Sequence, residues 1–138
     1  MKMKQNKIAR RLLKSNLVPL LEADGFKGKF PDFQRFENGE LHLLSVEFDK
    51  YGGGFFLEFA SLPSGNLEKD ITVAYAAFDS RARLQNNGQR NSMSEDWFRY
   101  ENMSENEIEE LIQYVGSLLH QINDWLRDKI IGKNVSAP

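Results

Sequence analysis

The chain contains no cysteine, and that absence removes more chemistry than any motif supplies. Disulfide staples, thiolate nucleophiles, zinc fingers and Cys-ligated iron–sulfur clusters are excluded together. Histidine is nearly as scarce. Of the two present, His42 falls in a strand beside Arg35 and His120 on the polar side of a helix. Neither has a second ligand at HxxxH or His–carboxylate spacing, so no metal site is expected. A GxSxG elbow, a Walker loop and a dinucleotide fingerprint are all missing. "YGGGFF" joins two strands instead of opening a helix. There is also no long hydrophobic run. The basic N-terminus, "MKMKQNKIARRLLKSNLVPLL", resembles an export signal only until Arg10, Arg11, Lys14, Ser15 and Asn16 interrupt its apolar residues. No stretch approaches the ~20 apolar residues of a membrane span. The expectation is a soluble, cytoplasmic protein with no cofactor and no membrane role.

What is present suits one folded domain. A chain of 138 residues with 41% apolar side chains can bury a real core without staples. Residues 4–23 read as an amphipathic helix, with Ile8, Ala9, Leu12, Leu13, Leu17 and Leu20 on one half and Lys4, Lys7, Arg10, Arg11 and Lys14 on the other. Pro19 should kink or restart it, and Gly25 should end it. The period then changes to two. Asn38-Gly39 is a strong hairpin signal that pairs Phe36 with Leu41, Arg35 with His42 and Phe33 with Leu44. Phe26, Phe30 and Phe33 are expected in the core, with Lys27, Lys29 and Arg35 facing water. A turn at "YGGG", residues 51–54, pairs Phe48 with Leu57 and Val46 with Phe59. "ITVAYAAF" reads as a strand or a short helix, with the strand favoured because Ile71, Val73 and Tyr75 alternate, and "SRARL" and "DWFRYE" read as two more strands. Ser104 and Glu107 form a capping box. The stripe Ile108, Leu111, Ile112, Val115, Leu118, Leu119, Ile122, Trp125 and Leu126 follows, to a stop at Gly132. The expected fold is α+β: an antiparallel sheet of four to six strands flanked by an N-terminal and a C-terminal amphipathic helix. The domain spans residues 1–132, with 133–138 a frayed tail.

Three pieces in this order, "LVPLLEADGFKGKFPDFQRF", "LHLLSVEFDKYGGGFFLEF" and "RARL" before "EDWFRY", resemble the bacterial domain-of-unknown-function family numbered 4304. Gly25-Phe26-Lys27 after a leucine-rich helix and Asp96-Trp97 after a basic strand are the most distinctive. Glu47 departs from the glutamine expected there, and Phe98 from a second tryptophan. The resemblance implies a fold and a bacterial origin, and no activity.

Three functional readings follow. In the first, the chain is non-catalytic and acts through a protein interface, as a toxin-immunity protein or other antagonist does, or as a homo-oligomer. Phe36, Leu41, Leu43 and Phe56 share one sheet face with Glu47 and Glu58, and that face is too apolar to be left to water. Either a terminal helix covers it or a partner does. In the second, the basic helix binds nucleic acid through Lys4, Lys7, Arg10, Arg11 and Lys14, assisted by Arg81, Arg83 and Arg90. A net charge of −2 gives no independent support for a polyanion. In the third, Glu47 and Glu58, directly opposed across the YGGG hairpin, share a proton or act as an enzyme's carboxylate pair. Trp97 is expected in the core rather than in a groove beside Arg81 and Arg83.

Overall fold

The computed structural model describes residues 2–63, 65, 71–89 and 95–138. Arg90 and most of the 64–70 connection lie outside them. The first helix, α1 (Lys2–Leu12), runs into a π-helical turn at Leu13–Leu17 and then α2 (Val18–Ala23), which carries Pro19 in its first turn. A π turn holds one residue more than an α turn, so it rotates everything after it about its axis. The buried line is therefore Ala9, Leu12, Leu13, Leu17 and Leu21, while Leu20, expected inside, is exposed. Gly25, at φ +94°, closes α2. The Phe26 amide donates to the Leu21 carbonyl and the Gly25 amide to that of Glu22, the paired bonds of a Schellman cap.

Seven strands follow among the described residues: β1 (Lys27–Lys29), β2 (Asp32–Glu37), β3 (Glu40–Phe48), β4 (Gly54–Pro63), β5 (Arg81–Leu84), β6 (Phe98–Arg99) and β7 (Val135–Ser136). Their order is β1-β2-β3-β4-β5-β7, with β6 pairing β4 beside β5, and these neighbours all pair antiparallel. The Asn38-Gly39 hairpin pairs Phe36 with Leu41, Arg35 with His42 and Phe33 with Leu44, as its turn type requires. The next hairpin differs from expectation. Gly52 and Gly53 take φ of +84°, whereas Gly54 is the first residue of β4. The Asp49 amide closes the loop on the Gly54 carbonyl. The turn thus sits one residue earlier, at 50–53, and each partner moves by two: Phe48 faces Phe55, Glu47 faces Phe56 and Ser45 faces Glu58.

The capping box forms at Ser104 and Glu107, with both reciprocal hydrogen bonds present. The expected single helix breaks at Leu118 into α3 (Glu105–Ser117) and α4 (Leu119–Asp128), and left-handed Lys129 stops it, ahead of Gly132. Helices α1 to α4 all pack on one face of the sheet. Their apolar residues join Phe33, Leu44, Val46, Phe55, Leu57, Phe59, Ala82, Leu84 and Phe98 in one core. Trp125 meets Phe59 edge-on at 5.4 Å, fixing α4 over the middle of β4.

Three further expectations change. "ITVAYAAF" is not a strand but two short 3-10 turns, Val73–Tyr75 and Phe78–Ser80. Val73 packs onto Leu41 and Leu43, with Leu62 and Ile71 around them. The spacing of Ile71 and Val73 that imitates a strand thus seats a cover on the far face. The C-terminal segment is not frayed: β7 pairs β5, and Asn134, Val135, Ser136 and Ala137 are buried. Buried amides hold it. Gln85 Nε2 donates to Ser136 Oγ at 2.9 Å, the Asn134 amide donates to Gln121 Oε1 at 2.8 Å, and Asn134 Nδ2 donates to the Asn86 carbonyl at 3.0 Å. Lastly, Arg35 does not face water. Period-two alternation puts it on the helix side with Phe33, and it is buried.

Burying a guanidinium is costly unless its donors are filled, and here they are. Arg35 Nε and Nη2 both point at His42 Nδ1, at 3.1 and 2.8 Å, while Nη1 donates to the Asp24 carbonyl at 2.9 Å and Asn123 Oδ1 at 2.8 Å. The guanidinium also lies 4.3 Å from the Phe26 ring centroid. One side chain thereby joins β2, β3, α2 and α4. Burial, then Arg35, lowers the His42 pKa from 6.5 to about 4, so the imidazole is neutral, with Nδ1 free to accept.

Two predictions follow from these contacts. Removing residues 134–138 takes Val135 and Ala137 from the core and removes the bonds that Ser136 makes to the Gln85 side chain and Asn134 to that of Gln121. The loss of stability in urea should be about 3 kcal/mol. For His42, the unfolded state binds a proton below pH 6.5 that the folded state refuses until about 4. Stability is therefore full above pH 6.5 and falls as the pH drops through that window, by roughly 1–3 kcal/mol. Unfolding curves across the window should show that slope in the wild type and a reduced one in His42→Gln, whose amide accepts from Arg35 without titrating.

Candidate functional site

With the helices on one face, the chemistry collects on the other. Alternation along β2 to β6 places Asp32, Gln34, Phe36, Leu41, Leu43, Ser45, Glu47, Phe56, Glu58, Arg81, Arg83, Trp97 and Arg99 there. A groove of ≈ 700 Å³ runs over its lower half, lined in part by Glu47, Phe56, Glu58, Arg81, Arg83, Trp97 and Arg99. Lys50 and Glu95 also line it, both exposed. A second cleft, ≈ 370 Å³, lies over β1 and β2 beside Ile71 and Thr72 and includes Asp32 and Gln34.

Glu58 is the centre of the groove. It is buried in the middle of β4, which a carboxylate tolerates only with cations in contact. β5 supplies two of them on alternate residues. Arg83 Nε reaches Glu58 Oε2 at 2.8 Å and Arg81 Nη1 reaches Oε1 at 3.5 Å. Arg81 then donates from Nε and Nη2 to the Ala76 carbonyl at 3.0 and 2.8 Å, and from Nη2 to that of Ala74 at 3.0 Å. It straps the first 3-10 turn down over Leu41 and Leu43. The Arg83 guanidinium stands 4.6 Å from the Phe56 ring centroid, and Phe56 stacks on Trp97 at 4.4 Å. That stack depends on Gly54, where a Cβ would lie 2.9 Å from the Trp97 Cβ. Arg99 pairs with Asp49 at 2.7 Å. Glu47 receives the Ser45 hydroxyl proton in a 2.6 Å hydrogen bond. Burial, and then Glu47, raise the Asp32 pKa above its ordinary value.

The residues singled out from the sequence are thus divided. Glu47, Phe56 and Glu58 meet in the groove. Leu41 and Leu43 share the face but are sealed under Val73, and Phe36 is 58% exposed at its upper end. Glu47 and Glu58 are diagonal neighbours, not an opposed pair, because the register moved by two. Trp97, expected in the core, is a groove wall. The basic set is split by the sheet, since α1 lies on the helix side and Arg81 and Arg83 on the other. On α1, Arg11 pairs with Glu105 at 3.1 Å, Arg10 lies 4.0 Å from the Phe48 ring centroid and Lys14 5.4 Å from that of Phe30, while Lys4 and Lys7 are exposed. Asp32, Ser45 and Arg99 were missed. Counting back by two from Phe36 finds Asp32, but placing Arg99 requires the non-local pairing of β6 with β4.

These features define an α+β protein with its helices on one sheet face and a charged, aromatic groove on the other. The chain belongs to the family of the domain of unknown function (DUF4304), whose model matches residues 17–128. No curated protein and no solved structure matches it. The groove residues all lie within the matched span, and Lys4, Lys7, Arg10, Arg11 and Lys14 precede it. Among the described residues no helix is long and apolar enough to cross a membrane, and no three His, Asp or Glu side chains converge as a metal would need.

Glu58 is expected to be the costliest polar position on this face. Glu58→Ala leaves two half-buried guanidinium groups without their acid and should destabilise the protein by about 3 kcal/mol. Urea unfolding should show the loss largely recovered in the Glu58→Leu, Arg83→Leu double variant.

Proposed function

We propose that the protein is non-catalytic and works by holding another protein against the helix-free face of its sheet. The observation that carries this reading is the one-sided placement of the helices. It leaves the opposite face with only the 3-10 segment over Leu41 and Leu43 among the described residues. Around that cover Phe36, Tyr75 and Phe78 are 58%, 66% and 55% exposed, beside a groove walled by Phe56 and Trp97. Exposed aromatics around a concave, partly apolar floor are the composition of an interface core. Antagonism of the toxin-immunity kind is one role such a surface serves. The nucleic-acid reading has weaker support, because its two groups of cations stand on opposite faces and several are engaged within the chain. The carboxylate-pair reading loses its premise with the register, as Glu58 is neutralised by Arg81 and Arg83.

The complex that co-purifies with the tagged protein from nuclease-treated lysate of its own host tests this, with mass in solution measured in parallel. Phe36→Asp and Trp97→Ala, at a surface position and a groove wall, should abolish a stoichiometric complex while remaining folded. Arg10→Glu with Lys14→Glu should leave it intact. The opposite pattern, or a bound species that nuclease removes, overturns the proposal. A dimer broken by Phe36→Asp makes the occupant a second copy of the chain.

A further inference from the structure

Charge on the helix-free face is unevenly settled. Its arginines each have an acid of their own chain: Arg81 and Arg83 hold Glu58, and Arg99 holds Asp49. The acids on the β2–β3 side do not. Asp32 pairs in register with Ser45, and Glu47 follows two residues along β3 on the same face. Both carboxylates are half-buried, yet among the described residues neither has an ion pair, and Ser45 Oγ is the donor that Glu47 receives. Lys29, opposite Asp32 on β1, is exposed and makes no ion pair with it. Next along β2, Gln34 Oε1 is buried and also lacks a donor. Three acceptors thus lie close together on one face, where a buried acceptor ordinarily has a partner. Across from Glu47 on β4 stands Phe56, stacked on Trp97, an aromatic wall beside the carboxylates whose ring faces already carry Arg83 and Arg99.

Hydrogen-bond donors and positive charge are what the Asp32 and Glu47 carboxylates lack and what a guanidinium brings. Its planar fork serves several oxygens at once. A lysine ammonium supplies the charge but not the fork. We propose that the helix-free face receives an arginine side chain from a basic segment of a partner protein, its guanidinium between Asp32 and Glu47 and its stem along the Phe56–Trp97 wall. The proposal rests on the docking role of this face and gives that face its partner's charge: the partner is basic where it meets β2 and β3.

The test uses one short extended peptide in three versions, with arginine, lysine or citrulline at the same positions, titrated into the full chain and followed by NMR. The arginine version should bind saturably and shift the amides of Ser45 and Glu47 and the Trp97 indole. Citrulline, isosteric but neutral, should bind at least about tenfold more weakly, with lysine between. Asp32→Asn combined with Glu47→Gln should cost the arginine peptide about tenfold or more. That variant relieves a carboxylate–carboxylate repulsion, so a loss of binding is not a loss of fold. Equal binding of citrulline, absence of saturable binding, or indifference to the double variant overturns the arginine assignment. If Trp97→Ala still abolishes the host complex in that event, the docking face stands and only its basic partner falls. Shifts confined to α1 together with an intact host complex in Trp97→Ala remove both.

Discussion

The structure depends on the ladder between β3 and β4. It runs in unbroken register from Glu40 opposite Pro63 to Phe48 opposite Phe55. Along its middle, Leu41 to Val46 and Gly54 to Ala60 are buried on alternate residues and on those between. An antiparallel pair buried on both faces needs two covers, because each face presents leucine and phenylalanine. The helices provide one. The other is assembled from whatever the chain sends across: the 3-10 segment over Leu41 and Leu43, and the Phe56–Trp97 stack farther down. The two covers differ in kind, one a continuous helical layer and the other a patchwork that leaves a charged, aromatic groove open.

The patchwork is held by charge more than by apolar area. Glu58 could not occupy the centre of β4 without β5 offering arginine on alternate residues, and Arg81 has enough donors to serve Glu58 and the Ala74 and Ala76 carbonyls together. On the helix side, Arg35 does the same work with His42, Asp24 and Asn123. Both buried arginine clusters fasten irregular chain to sheet where shape alone would not specify the contact.

How far this could be read from the sequence follows from how local each feature is. Asn38-Gly39 has only one comfortable hairpin, so β2 and β3 were legible to the residue. The capping box and the Gly25 stop are equally local. "YGGG" was not, because three glycines permit a turn at either of two positions, and Gly54 is kept in the strand by Trp97, which arrives from another strand. The π turn at Leu13–Leu17 leaves no clear mark in composition, yet it exchanges Leu20 for Leu21 on the buried line. Ile71 and Val73 alternate because they dock on one surface, and a period of two cannot separate that from a strand. Arg35 reads as solvated until the acceptors at His42, Asp24 and Asn123 come together from distant parts of the chain. Within the groove, the shared face of Glu47, Phe56 and Glu58 was legible from parity alone. Trp97 and Arg99 joined it through a pairing that no local signal announces, and the tail was misread because its buried partners, Gln85 and Gln121, are polar.

The rims of the sheet have a consequence of their own. β1 is three residues long and presents Lys27, Gly28 and Lys29, all exposed, while β7 at the far side is only two residues long. Free strand margins invite self-templating growth into fibrils, and brevity and lysine are two of the means by which proteins suppress it. A sheet with such margins offers little for another strand to zip onto. Such margins are also poor templates for extended chains that bind by lengthening a sheet.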